Sequence, residues 1–242
     1  MNLVIDVGNS LTKFAVFDAC DLVEVETSKL NDYESFIEKV LSKHPSLNKA
    51  IVSSVGHFSL NELQSIQNKM EVLVLDSQTK LPFANLYKTP KTLGVDRMAL
   101  ISAAMLNFPK KNTLVIDAGT CVTYDFVTKT ADYLGGAISP GIRLRYKSLN
   151  DYTANLPLLE TAIPDGLVGN STEQSIHSGV VNGMIKEIDG VVYDYTNKYG
   201  DLTVILTGGD GNFLSKQLKN SIFANSNFLL EGLNFILDHN SN

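Results

Sequence analysis

LVIDVGNSLTKFAVF, residues 3–17, and LVIDAGTCVTYDFVT, residues 114–128, say nearly the same thing in two distant parts of the chain. Aligned without a gap, they share Leu, Val, Ile, Asp, Gly, Thr and a later Val. Each reads as an apolar strand ending in a carboxylate (Asp6, Asp117), a turn with glycine two residues on (Gly8, Gly119), and a second strand. One such hairpin is explained by turn chemistry. Two that keep an acid at the same strand end are not. The repeat predicts a duplicated fold whose halves each present a carboxylate at a turn, an arrangement suited to metal-assisted phosphate chemistry.

Around these hairpins the pattern alternates. Asn31-Asp32-Tyr33-Glu34 predicts a capping box, followed by Phe36, Ile37, Val40 and Leu41 at helical spacing up to Pro45. Ala50–Val55 reads as a buried strand, Ser59 and Glu62 as a second capping box, and Val72–Asp76 as another strand. After an irregular stretch, Ser77–Leu93, a helix is expected from about Val95 to Leu106. Downstream come a strand at Gly136–Ser139, a loop from Tyr152 to Asn170, a long helix from Thr172 to Tyr199, a strand at Leu202–Thr207 and a helical tail. Alternating elements imply α/β architecture with a mixed sheet. The boundary falls near residue 109, giving halves 1–109 and 110–242. With no low-complexity linker between them, the halves are expected to pack with a cleft between them.

Composition narrows the function. A formal net charge of −6, without any run of Lys or Arg, argues against a nucleic-acid partner. A small anionic substrate is still compatible, because a few focused cations suffice. No apolar stretch approaches the ~18 residues of a membrane span. The four histidines lack zinc-site spacing, and the two cysteines, Cys20 and Cys121, form no CxxC pair. A reducing cytoplasm is the expected setting.

No GxxxxGK[ST] or GxGxxG occurs, so phosphate recognition falls to Asp6–Lys13. Gly8 permits a tight turn whose N–H groups can face an anion, Asn9 and Ser10 add donors, and Lys13 adds positive charge. Asp6 would repel a triphosphate directly, and its useful role is to hold Mg²⁺ through water. In the second turn, Thr120 offers a hydroxyl to phosphate and Asp117 can bind a cation. Gly208-Gly209 after a strand leaves flat backbone on which an adenosine could lie, though a strand-to-helix turn also needs glycine for its own reasons. Asp96, near a helix start, suits either N-terminal capping or the role of a base.

Four motifs in this order carry a resemblance: Asp6-Val-Gly-Asn-Ser, Leu93-Gly-Val-Asp-Arg97, Asp117-Ala-Gly-Thr-Cys-Val-Thr123 and Gly135-Gly-Ala-Ile-Ser-Pro-Gly141. The set resembles the acetate and sugar kinase, Hsp70 and actin superfamily, and within it the type III pantothenate kinases. The resemblance implies a duplicated ribonuclease H-like (actin-like ATPase) α/β fold with a nucleotide cleft, acting on ATP and pantothenate. It implies Asp96 as the catalytic base and Asp6, Val7, Gly8, Asn9, Ser10, Leu11, Thr12, Lys13 and Thr120 as ATP contacts. Tyr87, Gly94, Val95, Asp96 and Arg97 then bind pantothenate, joined by Thr172 from the partner subunit of a homodimer. Asp117 would ligate a monovalent cation, K⁺ or NH₄⁺, beside Mg²⁺ carried with ATP. Locally, Thr172 reads simply as a helix N-cap. Cys121 stands where a small residue such as alanine is usual in the family, and Ser10 where threonine is frequent.

Three rival readings follow from the same residues. A ribonuclease H-like nuclease also gathers acids at strand ends, but needs a basic face that this composition lacks. A nucleotide-binding regulatory relative would not need Asp96 and Arg97. A sugar or acyl-acid kinase of the superfamily is usually longer, and the Gly94–Arg97 turn fits pantothenate better.

Overall fold

The structure is a computed structural model that describes residues 1–8, 11–28, 33–55, 59–219 and 222–241. The capping box expected at Asn31–Glu34 and the turn residues Asn9 and Ser10 lie outside the described residues. The chain divides into two compact units. One comprises Met1–Pro109, Ala131–Tyr133 and Asn227–Asn242, the other Lys110–Thr130 and Leu134–Ser226.

The first unit begins with the hairpin β1 (Asn2–Val7) and β2 (Thr12–Asp18), followed by β3 (Asp21–Ser28) and α1 (Tyr33–Lys43). Then come β4 (Lys49–Ser54), α2 (Leu60–Gln67), β5 (Glu71–Val74), the two-residue β6 (Ala84–Asn85) and α3 (Val95–Asn107). The sheet order is β3-β2-β1-β4-β5, with antiparallel pairs on the β2 side of β1 and parallel pairs on the β4 side. The predicted capping box of α2 is present: Ser59 Oγ accepts from the Glu62 N–H, and the Glu62 carboxylate accepts from the Ser59 N–H at 2.7 Å. Apolar residues of β1, β2 and β4 (Leu3, Ile5, Phe14, Val16, Val52) form one core with Ile37 and Val40 of α1 and Ile66 of α2.

The second unit repeats this plan. It contains β7 (Asn112–Ala118), β8 (Cys121–Val127), most of β9 (Asp132–Pro140) and α4 (Ile142–Asp151). After the loop come α5 (Thr172–His177), α6 (Gly183–Tyr199), β10 (Leu202–Thr207), α7 (Gly211–Ser215) and β11 (Phe223–Ala224). The sheet runs β11-β10-β7-β8-β9-β6, and its first five strands follow the order of the first sheet with each strand replaced by its counterpart, β6 being an added edge strand. The last helix, α8 (Phe228–His239), returns to the first unit. There Asn2 on β1 donates to Asn234 and Asp238 of α8, each at 2.8 Å.

Several expectations need correction. The helix drawn from Thr172 to Tyr199 is interrupted by a π-helical turn, Ser178–Asn182, between α5 and α6. Its N-cap is Ser171, whose hydroxyl accepts from the Gln174 N–H, so Thr172 is the first helical residue and not the cap. Gly94, not Asp96, caps α3. β9 is longer than the Gly136–Ser139 strand expected, and α4 falls in a stretch where no helix was expected.

The ungapped alignment also fails past the turn. Asp6 pairs across the hairpin with Lys13, whereas Asp117 pairs with Thr123, because the second turn is one residue shorter. The counterpart of Lys13 is therefore Thr123 and not Tyr124. Burial agrees: Thr12 through Phe17 match Val122 through Val127 position for position in being buried or half-buried.

Candidate active site

Asp6 sits at the end of the central strand of the first sheet, with Lys13 opposite it on β2 and Ser53 opposite it on β4. All three side chains lie on one face of the pleat, since paired residues share a face. Burial pushes the Asp6 carboxyl up to about 6; the Lys13 ammonium pulls against this and the Asp96 carboxylate adds to it. Asp96, from the first turn of α3, is thus electrostatically coupled to Asp6. A half-buried carboxylate raised by a second carboxylate is a site that gains from a cation, and this pair fits the Mg²⁺ that accompanies a nucleoside triphosphate.

The Asp6–Lys13 turn departs from the picture of free amides facing an anion. The Gly8 N–H is used inside the turn, donating to the Leu11 carbonyl at 3.1 Å. Val7 and Thr12 are completely buried, backbone included, and the Val7 carbonyl accepts from the Val55 N–H at 3.1 Å, so neither presents a surface to a ligand. Leu11 is exposed and Lys13 half-buried.

Asp96, Arg97 and Tyr87 come together in the first unit. The Asp96 carboxylate folds back to accept from the Arg97 N–H at 2.8 Å, which fixes its rotamer over the start of the helix. The Arg97 side chain is 6% exposed, and its guanidinium carbon lies 5.6 Å from the centroid of the Tyr87 ring. Tyr87 is held in turn by a ring contact with Tyr133 and by its N–H donating to Asn85 Oδ1. The irregular Ser77–Leu93 stretch is therefore what delivers Tyr87 to the helix start.

In the second unit, Asp117 occupies the place of Asp6, with Thr207 on β10 where the first unit has Ser53 and Thr123 where it has Lys13. A hydroxyl has replaced the ammonium, and the other neighbour is a hydroxyl in both units. Thr123 Oγ1 is buried and has no hydrogen-bond partner among the described residues. A buried oxygen without a partner, across from a carboxylate, is open to an added donor or cation. Gly208, at φ +90°, brings its backbone against Asp117 and Ala118 so closely that any Cβ would collide with the Ala118 carbonyl. The Asp210 N–H then donates to that carbonyl at 3.0 Å. Burial raises the Asp210 carboxyl, while Arg143 draws it back. Thr120 is exposed at the turn, free of the strand ladder, and the Gly119 N–H closes the turn onto the Cys121 carbonyl.

Thr172 is exposed and lines an open pocket of about 710 Å³ with Leu149, Leu156, Ser171 and Ile176. Sequence reasoning missed three groups of this geometry: Ser53, Thr207 and Thr123. The duplication was the signal for Ser53 and Thr207, since β4 and β10, the parallel neighbours of the two acid-bearing strands, both end in hydroxyl residues.

Two sheets sharing a five-strand order, each with a carboxylate near the end of the strand that heads its hairpin, define the ribonuclease H-like fold of sugar kinases and actin-like ATPases. A glucokinase from an Antarctic psychrotroph has this fold, with a TM-score of 0.57 over 98% of both chains at 15% identity. The family model described as type III pantothenate kinase matches residues 2–194. A type III pantothenate kinase of Flavobacterium johnsoniae is 51% identical over 96% of each chain, and one of Christiangramia forsetii 50% identical over 99% of each. The chain belongs to the type III pantothenate kinase family.

Proposed function

We propose that the chain transfers the γ-phosphoryl group of ATP to the primary hydroxyl of pantothenate, giving 4′-phosphopantothenate, the first step toward coenzyme A. Family membership supports the reaction, and the placing of the Asp96 carboxylate at the first turn of α3, beside Arg97 and Tyr87, is the observation that carries the mechanism. Phosphoryl transfer demands positioning and charge stabilisation more than covalent work. Asp96 accepts the proton of the attacking hydroxyl; its carboxylate is already oriented by the Arg97 N–H. Arg97 and Tyr87 bind pantothenate with Gly94 and Val95, the guanidinium fork being suited to a carboxylate.

The Asp6–Lys13 turn and Thr120 contact the phosphates of ATP. Asp6 is the residue that would hold Mg²⁺, through water, and the ion would supply charge neutralisation to the phosphates. Asp117, Thr123 and Thr207 offer oxygens to the monovalent cation, K⁺ or NH₄⁺. The enzyme acts in the cytoplasm as a homodimer in which Thr172 reaches the partner's pantothenate. Exposed apolar residues between Leu158 and Val168, the latter 87% exposed, support an interface on this face. No helix among the described residues is long and apolar enough to cross a membrane.

The test is ATP-dependent phosphorylation of pantothenate against a panel of sugars and acids, with and without potassium. Pantothenate is expected to be the preferred acceptor, and its failure in every condition refutes the assignment. Asp96→Asn is expected to lower kcat by ~10²–10⁴ with the fold intact. Turnover like wild type would remove Asp96 from its role.

A further inference from the structure

Thr120 can serve a phosphate only if its turn is held at one height, and its own hairpin does not do this alone. β9 ends at Pro140, and the Gly141 N–H donates to the Thr120 carbonyl at 3.1 Å. A Cβ on Gly141 would collide with the Gly119 and Thr120 carbonyls, so the two backbones lie in direct contact. Wherever Pro140–Gly141 sits, the Thr120 turn must follow.

One side chain fixes Pro140–Gly141. Arg145, one turn into α4, donates from Nε to the Pro140 carbonyl at 2.8 Å and from Nη2 to Ser139 Oγ at 3.0 Å. The same Nη2 meets Glu187 of α6 at 2.5 Å. Glu187 uses its other oxygen to accept from the Tyr124 hydroxyl at 2.8 Å. Tyr124 is buried on β8, three residues beyond the turn it shares with Thr120.

The contacts therefore close a ring: turn, Gly141, Pro140, Arg145, Glu187, Tyr124 and back along β8 to the turn. Its donors and acceptors are fixed at neutral pH. Burial opposes the charge on Glu187, but hydrogen bonds from Arg145, Tyr124 and Ser139 outweigh it and hold the carboxyl below its ordinary value. Burial and the Glu187 contact push the Tyr124 phenol up, so it stays a donor.

We infer that Arg145 is a positioning residue for phosphoryl transfer, holding the Thr120 turn in place through Pro140–Gly141 with Glu187 and Tyr124 as its anchor. This rests on the reading that Thr120 contacts ATP. Lysine keeps the charge opposite Glu187 but cannot span three acceptors, because it lacks the planar fork. Misplacing a binding group by a fraction of an ångström to 1 Å costs roughly 10–100-fold in rate.

The experiment is a double-mutant cycle with Arg145→Lys and Thr120→Val, measuring KM for ATP, KM for pantothenate and kcat on each variant. Arg145→Lys is expected to lower kcat/KM for ATP about 10-fold or more, with KM for pantothenate within about twofold of wild type. Because Arg145 acts through Thr120, adding Arg145→Lys to Thr120→Val is expected to have little further effect. Full additivity overturns the inference, as does Arg145→Lys that merely lowers Tm and leaves ATP kinetics intact. If Thr120→Val itself leaves kcat/KM for ATP unchanged, the assignment of Thr120 to phosphate fails and takes the inference with it. Should Arg145→Lys not fold, Glu187→Gln removes the anchor charge with the same shape. It is expected to raise KM for ATP in the same direction, and an unchanged KM overturns the inference.

Discussion

Replacing Asp6 by asparagine separates what the carboxylate does for stability from what it does for function. The carboxyl titrates at about 6 in the folded chain against an ordinary 3.8, burial being the main cause. Below that ordinary value Asp6 is protonated in both folded and unfolded chains and has no pH-dependent effect. As pH rises through the window between the two values, the unfolded chain ionises first and the folded chain loses stability. Above it the penalty is complete, on the order of 3 kcal/mol for a shift of about two pH units. Asp6→Asn keeps the shape and removes the charge. The variant is therefore expected to match wild type near pH 3 and to exceed it by about 3 kcal/mol near pH 7.5, while catalysis falls. Urea unfolding of both proteins across that range measures the difference. A difference that does not change with pH, or an asparagine variant less stable at neutral pH, would refute the reasoning. Titration of the Asp6 carboxyl carbon by NMR gives a second check. Lys13→Met should move its pKa further up and Asp96→Asn should move it down, since one partner opposes and the other reinforces the shift.

Three further outcomes are expected. Arg97→Lys loses both the fork and the contact over the Tyr87 ring, and should raise KM for pantothenate roughly 10–100-fold with KM for ATP unaffected; steady-state kinetics on both substrates decide it. Gly208→Ala forces a side chain into φ +90° and onto the Ala118 carbonyl, and should destabilise the second unit by about 2–4 kcal/mol, seen as a lower Tm. Ser59→Ala removes one arm of the capping box and should cost about 1 kcal/mol in chemical denaturation with kcat/KM retained.

Much of the machinery was legible before any coordinates. The two hairpins, the α2 capping box and the helix carrying Asp96 and Arg97 are local features: pleat alternation, turn glycines and cap residues act on neighbours a few positions away. The kinship to a kinase family was readable for the same reason, because its motifs are short and contiguous.

What stayed hidden depends on distance and register. The sequence repeat aligns Lys13 with Tyr124, yet the second turn is one residue shorter, and only the closed hairpin puts Thr123 opposite Asp117. Ser53 and Thr207 read as ordinary strand ends until parallel pairing sets them beside the acids. The apolar face of α8 could cover either sheet, and Asn2 with Asn234 and Asp238 marks which one it covers. Arg145 and Glu187 are 42 residues apart and carry no shared motif; α4 and α6 must pack before they meet. By itself the sequence determined the local units and the acids they present, because hydrogen bonds within a turn and side chains alternating along a strand need only near neighbours. Which groups face those acids, and what holds their turns in place, was decided by tertiary structure, since cross-strand register and helix docking are set by closure of the whole sheet.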